Sequence, residues 1–495
     1  MKEKTVNQIN PATTPDEVDT SARRAHEAYR KGASADLATR ASWLDAIAAG
    51  LRKNTDELVR IAAAETHLGT TRLQGELRRT AFQLELFANE VRTGAVLDAT
   101  VDHADKDWGM GPRPDIRRVN TPLGVVGVFG ASNFPFAFSV IGGDSASALA
   151  AGCAVLHKIH SAHRQLALAT AEIVVTSLET AGAPEGLFGT VEGREAAVAL
   201  VEHPLIKAVG FTGSTSVGRS LFDRAAARPE PIPFYGELGS INPVFVLPSA
   251  WKNRKTEILE AYAASFTMGM GQFCTKPGLL LVPADQTSAT GELLGTAVGK
   301  AALGKLLSPG LRDAFGAARD EVAALPGVTT LVAGSDDEVP TPTILEAAIA
   351  DVLANPEILT KEMFGPATVL VHYEDATDLP KVAAMLEGQL TATLHADTDD
   401  ATAELVQLLS EKAGRVLWNG WPTGVTVSYA QVHGGPYPAT TAPGTTSVGT
   451  AATARFQRPV AYQDFPDEAL PPALQESNPW AIMRRVDGRF RGQVR

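Results

Sequence analysis

The chain has 495 residues, 44% of them hydrophobic and 20% charged, with a formal net charge of -12. That balance excludes a disordered chain and argues against a nucleic-acid or anionic-membrane surface as partner, while leaving room for an anionic ligand in a local basic pocket. Two cysteines exclude a disulfide framework and fit a reducing, cytoplasmic setting.

The opening stretch "MKEKTVNQINPATTPDEVDT" has no apolar signal core, and the longest apolar runs, 123–131 and 279–283, fall far short of the roughly 20 residues of a membrane helix. From 16 to 97, Ala22, Ala25 and Tyr29, then Leu44, Ile47, Ala48 and Leu51, recur at helical spacing. Gly, Pro and alternation over 98–120 predict extended structure or a hairpin projecting from the body. From 123, strands and helices alternate: "LGVVGVFGA", a helix over 142–151, "AVLHKIH", a helix over 165–181, "LFGTVEG", a helix over 195–202 and "IKAVGFTG". Such alternation implies a parallel sheet with helices on both faces. A second α/β run starts at "INPVFVLP", continues through a helix over 255–268, "GLLLVP" and "ATVLVHY", and includes a helix over 402–413. A Pro-rich tail from Arg455 is expected to wrap on a neighbour or another subunit.

Four stretches carry candidate chemistry. In "GQFCTKPG", Cys274 sits between glycines and a proline. Alone it reads as a small buried hydrophobe; a nucleophile needs an activated thiolate, an oxyanion donor and a base. In "YGELGS", Glu237 lies between glycines at the junction of the two α/β runs. Its bland reading is a solvated surface carboxylate, but a tight apolar setting raises a carboxyl pKa towards that of a general base. In "GASNFPF", Asn133 follows a strand at the end where α/β sheets bind ligands; it is either an ordinary turn residue or a donor to an oxyanion. In "FTGSTSVGRS", Gly213 and Gly218 open a helix after a strand, a weak phosphate signal that nears a P-loop but has Arg219 where that motif demands Lys.

Taken together, "SNFPF", the Lys158 strand, "FTGSTSVG", "ELGS", "GQFC" and "KEMFGP" occur in the order and near the spacing of the aldehyde dehydrogenase superfamily, which the chain resembles from about residue 5 to 470. A finer resemblance, carried by "PEPIPFYGELGSINPVF", "GQFCTKPGL", "HGGPYPATT" and "TTSVGTAATARFQRPVAYQDFP", is to the 2,5-dioxovalerate (α-ketoglutaric semialdehyde) dehydrogenases. The NADP-dependent fatty aldehyde dehydrogenases share part of this pattern. The superfamily's late "PFGG" segment is replaced by "VHGGPYP", and Lys276 stands where the closest subgroup has Asn.

The resemblance implies two doubly wound α/β domains, a Rossmann-like cofactor domain and a catalytic domain, plus a β oligomerisation arm. The boundaries expected are 1–97 and 121–237 for the dinucleotide-binding domain, completed by 445–470; 98–120 and 471–495 for the arm and tail; and 238–444 for the catalytic domain. It implies oxidation of an aldehyde to a carboxylate through a Cys274 thiohemiacetal and thioester, with Asn133 and the Cys274 amide on the oxyanion and Glu237 activating water. Lys158 would hold the adenosine ribose, Gly213, Ser214 and Gly218 the pyrophosphate, and Glu362 and Phe364 the nicotinamide ribose.

NAD-preferring members commonly carry Glu three residues after that Lys. Here Ser161 replaces it, with His160, His163 and Arg164 near in sequence, so like-charge repulsion of a 2′-phosphate is absent. NADP is the expected cofactor, NAD a possible one, with Arg194 a further phosphate candidate. A distal carboxylate on the substrate calls for a cation or an amide nest. Arg455 and the loop Trp418-Asn419-Gly420-Trp421, above all Trp421, are the candidates; the tryptophans' bland reading is core aromatic. A homodimer or homotetramer is expected; no metal, nucleic acid or membrane partner is. A P-loop phosphotransferase leaves Cys274, Glu237 and Asn133 unexplained, and a non-catalytic scaffold is disfavoured by the presence of all three.

Overall fold

A computed structural model of the protein describes residues 12–284 and 287–492; residues 1–11 of the expected dinucleotide unit and 493–495 of the expected tail lie outside the described residues. Four helices come first: α1 (Pro15–Gly32), α2 (Leu37–Lys53), α3 (Thr55–Thr66) and α4 (Thr70–Thr93). Local chemistry sets their starts. Thr14 and Glu17 form a reciprocal capping box around Pro15, and Asp36 caps the amide of Thr39. The apolar stripes Ala22–Ala25 and Leu44–Ile47–Ala48–Leu51 are buried in one core with the sheet described next.

Strands β1 (Thr100–Asp102) and β2 (Ile116–Pro122) lead into β3 (Val125–Phe129), β4 (Ala154–Lys158), β5 (Phe188–Val191), β6 (Ile206–Thr212) and β7 (Phe234–Glu237). The last five form a parallel sheet in the order β5-β4-β3-β6-β7. The chain winds outward from β3 to β5, then returns to β6 on the other side of β3. The crevice beyond β3 and β6 is therefore a topological switch point, where such sheets bind ligands. Helices α5 (Gly143–Ala151), α6 (Arg164–Thr180), α7 (Arg194–Glu202) and α8 (Thr215–Ala226) connect these strands.

A second sheet has the order β10-β11-β12-β9-β8-β13-β14, built from β8 (Pro243–Val246), β9 (Leu279–Pro283), β10 (Thr329–Val332), β11 (Thr343–Ala348), β12 (Ala367–Tyr373), β13 (Gln389–His395) and β14 (Ala413–Trp418). Only β10 runs antiparallel in it. Helix α9 (Pro248–Thr267) descends from β8 to the Cys274 turn. A third sheet joins β15 (Gln457–Gln463), β2, β1, β16 (Arg484–Val486) and β17 (Arg489–Arg491).

This third sheet corrects one expected boundary. Residues 450–456 do pack against α5 in the first core, but 457–463 leave it and pair antiparallel with all of β2. The alternating exposure of β15 (buried Gln457, exposed Arg458, Ala461 and Gln463) suits an edge ribbon rather than a buried parallel strand. Among the described residues no helix is long and apolar enough to cross a membrane.

Candidate active site

The thiol sits on a forced turn. Gly269, Met270 and Gly271 all have positive φ (56°, 60° and 66°), a run that only glycine adopts freely and that strains Met270. A Cβ on Gly271 would stand 2.1 Å from the Gly365 carbonyl, so glycine lets this turn touch the loop bearing Glu362 and Phe364. Beyond the thiol, Asn242 Nδ2 donates to the carbonyls of Cys274 (2.8 Å) and Lys276 (2.9 Å). Gln389 Oε1 in turn accepts from the amides of Ile241 and Asn242. The nucleophile's backbone is thus fixed by side chains from the second sheet.

Asn133 lies beyond β3 and is 7% exposed. Its Nδ2 donates to the Gln272 carbonyl at 3.0 Å, which leaves the second amide N–H for another acceptor. Its loop is clamped by α4: Arg72 Nη2 donates to the Asn133 carbonyl at 2.7 Å, and Glu76 Oε1 accepts from the amides of Phe136 and Ala137 at 2.8 and 2.9 Å.

Glu237 ends β7, is 5% exposed and has Oε2 without a partner among the described residues. Burial raises its carboxyl to about 8; Arg455 opposes the rise, Asp144 adds to it, and the Ser447 hydroxyl opposes it. The Cys274 thiol is pushed up to about 12 by burial, then by Glu362 and Glu237, with Arg415 pulling the other way. At neutral pH the resting thiol therefore keeps its proton, and attack requires a base. Its Sγ lies 3.5 Å from His433 Nε2, and burial lowers His433 to about 3, so that ring is neutral and can accept the proton's hydrogen bond.

Cys274, Asn133 and Glu237 open onto one cleft of about 1310 Å³, shared with Lys158, Ser161, Gly213, Ser214, Glu362, Phe364 and Arg194. Its walls fit a dinucleotide. The first turn of α8, behind Ser214, has no side-chain cap, so its amides face the cleft as anion donors. Gly218 is buried against α8's neighbours: a Cβ there would meet Leu238 at 2.3 Å and Phe211 at 2.9 Å, so its role is close helix–sheet packing. Lys158, at the end of β4, is held below its ordinary range by burial. Arg219 pairs with Asp223 at 2.8 Å on the helix surface and does not line the cleft, which removes the cation a P-loop would need.

Several expectations need correction. Arg455 is 1% exposed and donates to Asp144 Oδ1 at 2.7 Å; a guanidinium buried and paired there is a counter-charge near Glu237, not a substrate contact. Trp421 packs against His395 (4.7 Å between rings) and Tyr262 (5.7 Å) beside the third apolar cluster, the core reading. Trp418 points outward, 45% exposed, and Asn419 caps the Ala396 amide. Arg164 grips Glu192 at 2.6 and 2.8 Å, and His163 is bonded to the Ala131 carbonyl; neither is free for a phosphate. His160 lines the cleft but burial lowers it to about 4, so it brings no charge at neutral pH.

Sequence reasoning missed Arg72, Glu76, Arg79, Asn242, Arg415 and His433. The charged residues of α4 had a signal: 72, 76 and 79 share one face beside the buried stripe Leu73–Leu77–Leu84. His433 sits in the replaced "VHGGPYP" segment. Lys276, departing from Asn, is buried; its Nζ donates at 2.7 Å to both the Met363 and Ala367 carbonyls. Burial lowers its pKa and the nearby Glu362 opposes that. It ties the nucleophile's turn to the Glu362 loop.

A nucleophile with a carboxylate, the equipment of acyl transfer, here opens onto the cleft of a dinucleotide-dependent oxidoreductase. That combination defines enzymes which oxidise an aldehyde while it is bound to a thiol. The chain belongs to the aldehyde dehydrogenase family, whose model matches residues 1–436. It is 46% identical over 480 residues to the α-ketoglutaric semialdehyde dehydrogenase 2 of Azospirillum brasilense, covering 94% of this chain and 90% of that one. It is 43% identical to the α-ketoglutaric semialdehyde dehydrogenase of Acinetobacter baylyi, covering 96% and 91%. Among solved structures it resembles the Pseudomonas syringae aldehyde dehydrogenase C complexed with NAD+ and octanal (TM-score 0.77, 19% identity, 92% and 90% covered). It also resembles the Methanocaldococcus jannaschii glyceraldehyde-3-phosphate dehydrogenase GapN complexed with NADP (0.76, 20%, 91% and 95%). At such identities these two show the fold. The enzyme is an aldehyde dehydrogenase with a nicotinamide cofactor.

Proposed function

We propose that the protein oxidises α-ketoglutaric semialdehyde (2,5-dioxovalerate) to 2-oxoglutarate and prefers NADP to NAD. The observation that carries the substrate is the identity of 43–46% over nearly the whole chain to the two named semialdehyde dehydrogenases. The bound dinucleotide supplies the hydride acceptor. The chain's residues do the rest. The Cys274 thiol passes its proton to the carboxylate form of Glu237, which returns it to solvent, as Sγ adds to the aldehyde carbon; Asn133 and the Cys274 amide donate to the oxygen that becomes negative. After oxidation the acyl group remains on Cys274 as a thioester, and Glu237, in its base form, takes a proton from the attacking water. Lys158 and the first turn of α8 orient the adenosine ribose and pyrophosphate, Glu362 and Phe364 the nicotinamide end.

Ser161 supports NADP, because it puts no carboxylate three residues after Lys158, and the charge of Glu192, which also lines the cleft, is offset by Arg164. Arg194 supports it too: it is exposed at the start of α7, on the cleft wall, with no hydrogen-bond or ion-pair partner among the described residues. The third sheet, with Trp108, Met110 and Phe490 exposed near its strands, supports pairing of subunits through the arm. The test is a kcat/KM panel of 2,5-dioxovalerate, succinic semialdehyde and aliphatic aldehydes with each dinucleotide. The highest value is expected for 2,5-dioxovalerate with NADP; a higher one for an aliphatic aldehyde rejects the substrate, and equal values for both dinucleotides reject the preference.

A further inference from the structure

The cofactor cleft accounts for one side of Cys274; the other side is basic. Arg79 of α4 donates through Nε to the Val425 carbonyl at 3.3 Å, and its guanidinium lies 5.4 Å over the Phe138 ring. Phe138 in turn stands 5.9 Å from the His433 ring, the ring that reaches the thiol. Arg415 of β14 holds the same loop, donating to the Gly424 carbonyl at 3.2 Å and the Pro422 carbonyl at 2.6 Å. The Gly424 amide donates to Thr275 Oγ1 at 3.3 Å, next to the nucleophile. Residues 422–425 therefore tie both guanidiniums to the cysteine turn. None of Arg79, Phe138, Arg415 and His433 lines the cofactor cleft.

Two of the donors there are idle. Nη1 and Nη2 of Arg79 are both buried without a hydrogen-bond partner among the described residues. Leaving buried charged donors unpaired is costly, and a guanidinium edge with two free nitrogens matches a carboxylate. Among the described residues Glu76 is the carboxylate that acts on Arg79, and it also faces Arg72. It offsets one of the three charges of Arg72, Arg79 and Arg415. His433, neutral by burial, adds none and removes none, so the side chains on this face of the thiol stay net positive.

We propose that Arg79, with Arg415 held on the same 422–425 loop, forms the subsite for the distal carboxylate of the substrate, held while the aldehyde carbon meets Cys274 Sγ. The inference rests on the oxo-acid reading above and assigns that reading its specificity residues. Phe138 and Val425 pack with Val448 and Leu86 in a small apolar cluster and keep the guanidinium dry, which strengthens its hold on an anion.

The experiment compares kcat/KM for 2,5-dioxovalerate and for pentanal, an uncharged aldehyde of the same length, in the wild type, Arg79→Met and Arg79→Lys. The oxo-acid/pentanal ratio is expected to fall about 30-fold or more in Arg79→Met, chiefly through KM for the oxo acid, and about 5-fold in Arg79→Lys, which keeps the charge but loses the fork. A ratio unmoved in both variants overturns the subsite while leaving the substrate reading intact. A wild type without preference for the oxo acid overturns the substrate reading and the subsite with it. Should Arg79→Met fail to fold, Arg79→Lys and Arg415→Met are read by the same ratio, and no change in either rejects the proposal.

Discussion

Cys274 separates two half-sites that are built by different means. On the cofactor side the working groups stand at strand ends and glycine turns: Asn133 after β3, Lys158 at the end of β4, Gly213 after β6, Glu237 at the end of β7. On the other side they are ordinary side chains from α4, β14 and two loops, brought together from residues 72 to 433. The first half depends on backbone conformation, so it leaves short motifs in the sequence. The second depends on where a helix face points, and it looks locally like any amphipathic helix.

Damage on the chemical side should affect every aldehyde alike, whereas damage on the basic side should sort aldehydes by charge. The largest uniform effect belongs to Cys274→Ser: a loss of about 10³-fold or more in kcat on both charged and uncharged aldehydes, followed by hydride absorbance at 340 nm. The wild-type protein, quenched in turnover, should show an acyl adduct on the Cys274 peptide by mass spectrometry. Activity of the serine variant near the parent rate defeats the assignment.

Next in size is Glu237→Gln, expected to lower turnover about 10²-fold to 10³-fold. Here pH gives the sign. Burial holds the carboxyl up to about 8, so the base form is scarce at pH 6 and dominant at pH 9. Where thioester hydrolysis limits the rate, kcat should climb about tenfold per pH unit below that value and level off above it. The Gln variant should lose this limb; a limb that persists belongs to another group. Smaller again is Asn133→Ala, which removes one donor to the oxyanion. A loss of about 3 kcal/mol of transition-state stabilisation, roughly 10²-fold in kcat, is expected at little change in KM, measured with saturating cofactor.

The alternation of strands and helices from 123 onwards was legible because each parallel strand is a short apolar run bounded by glycine or proline. The strands over 343–348, 389–395 and 413–418 were not, since "TILEAA" and "QLTATLH" carry as much Ala, Thr and Glu as a helix would. The expectation that 445–470 completes the dinucleotide-binding domain could not foresee the pairing of 457–463 with β2 for a related reason: local composition does not say which edge a segment joins. Arg455 and Trp421 were misread as substrate contacts because sequence shows a cation or an aromatic near the end of the chain but not what already neutralises or covers it. Asp144 is 311 positions from Arg455, beyond the reach of any window. Arg79 was missed for the same reason in reverse: nothing local reveals that its two terminal nitrogens find no partner.

Ser161 offers the gentlest probe, and it bears on the cofactor half alone. The side chain is exposed on the cleft wall, so solvent screens any charge placed there. Ser161→Glu sets a carboxylate against the region where a 2′-phosphate would lie, and repulsion at a partly exposed site amounts to about 1–2 kcal/mol, or roughly tenfold in KM for NADP. NAD carries no such phosphate, and its KM should change less than about threefold by the same argument. Arg194→Met should act in the same direction by removing an unpaired cation. Both variants should leave the oxo-acid/pentanal ratio where it was, because Ser161 and Arg194 line the cofactor cleft and Arg79 does not. Equal effects on the two dinucleotides would remove the Ser161 assignment, and a shift in the aldehyde ratio would show that the two half-sites are coupled rather than separate.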